Sequence, residues 1–118
     1  MMIPERAKAY FEGLEQREQK SLSIVERLLL ERWHSCKFNG VMEFELAVLP
    51  THEETFVELI TILREQGVPS VAITAKDCRV VEFLYLLQEQ GCKSVITRIE
   101  HKFMADEIEL VPAVRFYL

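Results

Sequence analysis

The sequence predicts an α/β fold, a two-layer sandwich with an N-terminal helical segment, a β-α-β-α-β core and a C-terminal antiparallel edge strand. Three observations carry that prediction. Apolar residues recur at helical spacing through the first third of the chain, short β-branched or alternating runs follow, and a stretch of the middle repeats itself 24 residues later. With 118 residues, 49% of them apolar and 28% charged, the chain fits one globular domain, residues 1–38 packing on a core of residues 41–118.

Pro4 suits a first helical turn, and Ala7, Tyr10, Phe11 and Leu14 follow at three- and four-residue spacing. Residues 15–20 are all polar, and Ser23 with Glu26 has the form of a capping box, so the helix is expected to kink or restart there. The second segment carries Ile24, Val25, Leu28, Leu29 and Trp33 and closes at Asn39-Gly40.

Residues 41–49 alternate, Met42, Phe44, Leu46 and Val48 against Glu43 and Glu45, which is the period of a half-buried strand. Thr51 and Glu54 form a second capping box, and Phe56, Leu59, Ile60 and Leu63 make a helical stripe that stops at Gly67. Residues 71–74 are the second strand. Residues 57–71 and 81–95 are identical at eight of fifteen positions, among them Gly67/Gly91, Ser70/Ser94 and Val71/Val95. This internal repeat implies strands that begin in phase, each separated from the next by one helix, joined by crossovers to parallel neighbours. Residues 107–118 alternate again, and Pro112, which cannot donate to a ladder, argues for an edge or a bulge.

Glutamates on one side of the first and last strands imply that this face is partly in water, with helices on the other. The helix after Asp77 is apolar nearly all round, so the N-terminal helices or another subunit should cover it. Val81, Tyr85 and Leu86 are the residues expected at such a contact.

A net charge of -5 without a basic cluster argues against nucleic-acid binding. The start of the chain lacks the features of a secretory signal, and no apolar run approaches the ~18 residues of a membrane span, so a cytoplasmic location is expected. Cys36, Cys78 and Cys92 are too widely spaced to signal a disulfide framework or a zinc site. The glycine-rich phosphate loops are missing as well, so neither cofactor nor metal is expected.

Ligands of parallel α/β sheets favour the carboxyl ends of the strands. The residues expected there are Thr51 and His52, then Lys76, Asp77 and Cys78, and finally Arg98, Glu100 and His101. His52 or His101 would be a general base, Asp77 or Glu100 its orienter and Cys78 a nucleophile, while Thr51, Lys76, Arg98 and Glu100 would bind ligand. Helix capping accounts for Thr51 and Asp77 equally well. The leading expectation is a non-enzymatic regulatory or protein-interaction module, acting through an apolar helix face or a sheet edge on a protein partner, including a second copy in a homodimer. The alternative is a small enzyme or ligand-binding domain at the strand ends.

Overall fold

The computed structural model describes residues 3–37, 41–44, 53–74, 80–104 and 107–118, with side chains except those of residues 53, 80–83 and 100–109. In chain order the elements are α1 (Glu5–Glu15), a 3-10 turn (Gln19–Ser21), α2 (Ile24–Cys36), β1 (Met42–Phe44), α3 (Glu53–Glu65), β2 (Ser70–Ile73), α4 (Val80–Glu89), β3 (Lys93–Met104) and β4 (Glu107–Tyr117). The fold is mixed α/β, with helices against one face of a four-stranded mixed sheet.

The restart at Ser23 is a full capping box. The Glu26 backbone N–H donates to Ser23 Oγ at 3.1 Å, and the Ser23 N–H donates to Glu26 Oε1 at 2.8 Å. Arg17 Nη1 also donates to Glu26 Oε2 at 2.8 Å, tying the end of α1 to the start of α2. The helices pack through Ala7, Phe11 and Leu14 on α1 and Val25, Leu28, Leu29 and Trp33 on α2, with Phe11 and Trp33 stacked at 5.6 Å. Ile24 does not join that stripe. It sits at the first helical position, on the margin of the stripe that Val25, Leu29 and Cys36 centre, and is 77% exposed.

Helices α3 and α4 end identically. The Val68 N–H donates to the Leu63 carbonyl and the Gly67 N–H to that of Arg64, while Cys92 and Gly91 repeat the pair with Leu87 and Gln88. This is a Schellman motif, with its left-handed residue at Gly67 (φ 74°) and Gly91 (φ 78°) and an apolar residue buried just beyond each. The identities at positions 63, 65, 66 and 67 are therefore the residues of one stop signal used twice. Arg64 joins the two stops, donating to the Gln90 carbonyl at 2.8 Å.

The strand order is β1-β2-β4-β3. Strands β1 and β2 are parallel, and β4 is antiparallel to both β2 and β3. The final strand thus has the expected sense but not the expected edge position: it is inserted between β2 and β3, which leaves β3 and β1 as the edges among the described residues. Pro112 is tolerated inside the sheet for a local reason. The Leu118 N–H donates to the Pro69 carbonyl on the β2 side, so by strand alternation residues 116, 114 and 112 also aim their nitrogens that way. Strand β2 stops at Ile73, opposite Val114, and the missing N–H of Pro112 falls beyond it.

One core joins the helices to the sheet through Met42, Phe44, Val71, Ile73, Phe116 and Leu87. The opposite face is also buried at its centre, where Val41, Ala72, Ile99 and Ala113 form a second cluster and Glu43 is only 7% exposed. The glutamate of the first strand therefore does not mark a watery face. Exposure on that side begins further out, at Val95 and Tyr117.

Candidate interaction edge

Strands β3 and β4 form a hairpin paired from Lys93↔Tyr117 to Met104↔Glu107, with a register shift between Lys102 and Met104. Strand β2 accompanies β4 only from Val114 to Tyr117, so most of the hairpin projects past the rest of the sheet. Residues 117, 115, 113 and 111 aim their N–H groups at β3, which makes their partners Lys93, Val95, Thr97 and Ile99 the hydrogen-bonded pairs. The even-numbered residues Ser94, Ile96, Arg98, Glu100 and Lys102 consequently direct their N–H and C=O groups away from β4, where no further strand lies among the described residues.

Side-chain exposure follows the same geometry. Ile96 pairs with Val114 on the face carrying the helices, yet it is 83% exposed, and among the described residues none of β3 belongs to the core that joins helices to sheet. Val95 on the other face is 42% exposed, and Leu110 of β4 is 57% exposed. An open edge with apolar side chains on both faces is a template for another strand. Sequence reasoning missed Val95 and Ile96, although adjacent apolar residues in a strand must point to opposite faces, and only one of those faces carries helices.

The positions picked out from the sequence separate into three groups. Thr51, His52, Lys76, Asp77 and Cys78 lie outside the described residues. Arg98, Glu100 and His101, expected at the end of this strand, lie within β3 opposite Pro112, Leu110 and Glu109, and the strand runs on to Met104. Strand β3 is longer than its apolar core suggests because β4 pairs with it throughout. On α4, Tyr85 is 60% exposed, while Leu86 is half-buried against the core beside the fully buried Leu87. Val81 belongs to α4, but its side chain is outside the described set.

Other chemistry is sparse among the described residues. Burial pushes the Cys36 thiol up to about 12, and its Sγ lies 3.4 Å from Met42 Sδ, so it is a packed apolar group and not a nucleophile. No cluster of three His, Cys, Asp or Glu side chains suited to a metal ion occurs among the described residues. A cavity of about 10 Å³ between α3, α4 and the sheet, lined by Phe56, Leu59 and Leu87, is too small for a ligand. An open cleft beside Arg64, Gly67 and Leu118 sits at the amino end of β2, opposite to where parallel sheets place ligands. No helix among the described residues is long and apolar enough to cross a membrane. Comparison with protein-family models, curated proteins and solved structures finds no match to this chain.

Proposed function

We propose that this protein is a non-enzymatic interaction module that engages a protein partner by strand addition to the outer edge of β3. The observation that carries the reading is the edge itself: a twelve-residue strand that, among the described residues, pairs on one side only, with Ile96 83% and Val95 42% exposed on opposite faces. Main-chain hydrogen bonds from the outward even-numbered residues would supply affinity, and the alternating side chains would supply selectivity.

Photo-crosslinking tests this in the cells that make the protein. A benzoylphenylalanine at position 96 is expected to trap a protein, itself included, in defined adducts, while the same probe at the exposed Glu12 of α1 gives none. Ile96→Pro in the same assay, with the probe moved to Val95, is expected to abolish the adducts. It removes an outward N–H and leaves the ladder to β4 in place. Equal labelling from positions 96 and 12 would refute the reading.

A further inference from the structure

We infer that the occupant of the β3 edge is β3 of a second copy of this chain, antiparallel about a two-fold axis centred on Ile99; this rests on the interaction reading above. Two sheets that join edge to edge through a two-fold axis perpendicular to them must bring residues of the same face opposite one another, so the axis passes through a residue. The charge sequence of β3, Lys93, Arg98, Glu100 and Lys102, then selects among the possible centres.

Centring on Arg98 stacks Arg98 on its own copy. Centring on Glu100 stacks Glu100 on its own copy and sets Arg98 against Lys102 of the second chain. The register between them, centred on Ile99, places Arg98 of each chain opposite Glu100 of the other, and both neighbouring slips meet like charges directly across the strands, while a centre on His101 sets Glu100 against Lys102 only by running Arg98 onto Met104 across the register shift. Arg98 is exposed and has no carboxylate within salt-bridge distance among the described residues.

Backbone geometry suits the same register. Residues 98 and 100 both aim outward, as do 96 and 102, so the pairs 98/100 and 96/102 are of the hydrogen-bonded kind and together supply about eight inter-chain hydrogen bonds. The register shift between Lys102 and Met104 ends the regular segment there, which confines the joint to residues 96–102 and limits slippage. The result is a continuous eight-stranded sheet in which Lys102 and Ile96 of the two chains occupy opposite register positions.

Light scattering over a dilution series tests the pairing on wild type, Arg98→Glu, Glu100→Arg, the double variant, and an equimolar mixture of the two single variants. Wild type is expected to be a dimer, and each single variant to raise the dissociation constant by about tenfold or more. The double variant and the mixture are expected to dimerise again, since each restores opposite charges at both contacts. Unchanged melting curves at low concentration verify that the variants fold.

A wild-type monomer at every concentration overturns the inference, as does a dimer that both single variants leave intact. A dimer split by Tyr85→Glu but not by Arg98→Glu overturns it in favour of α4. If the protein is monomeric while position 96 crosslinks to another protein, the dimer fails and the interaction edge stands. If position 96 crosslinks to nothing, both fail.

Discussion

Strands β2 and β3 start from the same words and arrive in opposite surroundings. Each follows a Schellman stop, and each carries Ser-Val three residues after the glycine. In β2, Val71 faces the helices and is 2% exposed, with Ser70 on the opposite face. In β3 the faces are exchanged: Ser94 pairs with Phe116 on the helix side, while Val95 pairs with Arg115 and is 42% exposed. A one-residue difference in register inverts every side chain of a strand. Phe116 of β4 lies opposite both Val71 and Ser94, so the strands are set one residue out of step with the repeat, and the equivalence of its halves ends just past Val68 and Cys92.

The comparison is sharpest when the same substitution is placed in both strands. Val71→Asp buries an unpaired carboxylate against Phe44 and Phe116, and a loss of about 4 kcal/mol or more is expected in urea unfolding. Val95→Asp, measured at a concentration where the protein is monomeric, should stay within about 0.5 kcal/mol of wild type. Equal losses would mean that Val95 is covered, and the account of the edge would fall.

The two stops provide the converse, a place where the halves should still agree. Gly67→Ala and Gly91→Ala each force a side chain onto a left-handed residue and should cost about 1–2 kcal/mol. A methyl at Gly91 meets open space, and one at Gly67 meets the flexible end of Arg6, with Nη2 at 3.0 Å. A markedly larger loss at Gly67 would show that the Arg6 guanidinium is held at the end of α3.

The capping box at α2 supplies a smaller and pH-dependent effect. Ser23→Ala should cost about 1 kcal/mol. The Ser23 backbone N–H, followed by Arg17, holds the Glu26 carboxyl below its ordinary value of 4.5. Its contribution is therefore complete above that value and is lost as pH falls through the lowered one. Glu26→Gln should flatten the acid limb of a stability-against-pH curve, and an unchanged limb would show that the box contributes nothing there.

The smallest expected effect is none at all. Cys36, with its thiol raised to about 12, should not react with a disulfide reagent at pH 8 until the protein unfolds. Labelling of Cys36 in the native protein would place an opening in the core between α2 and β1.

Much of the fold was legible because it rests on local chemistry. Ser23 and Glu26 satisfy each other's neighbouring N–H groups, and Gly67 and Gly91 adopt a backbone that other residues resist. Phe56, Leu59, Ile60 and Leu63 line one side of a helix whatever it packs against. The candidate site was legible only in part. Arg98, Glu100 and His101 stood out for their chemistry and were expected at the end of the third strand, and that strand runs on past them to Met104. A strand's length depends on how far its partner runs, and Lys102 and Met104 are strand residues because Glu107 and Ile108 pair with them. Val95 and Ile96 did not stand out, because their exposure depends on what packs on each face of β3.

By itself, then, the sequence determined the start of α2, the stops of α3 and α4, the apolar stripe of α3 and the mixed α/β class, because each of these depends on contacts within a few residues. Tertiary structure alone decided that β4 lies inside the sheet, that Pro112 sits where a donor is not required, and that β3 is left at the margin. Those outcomes turn on which strand pairs with which over distances of up to about 47 residues, as in Ser70↔Tyr117. Local propensity carries no information about that choice. It is made by burial of the helix-facing side chains, which joins β1, β2 and β4 to the helices and leaves β3 last in the sheet.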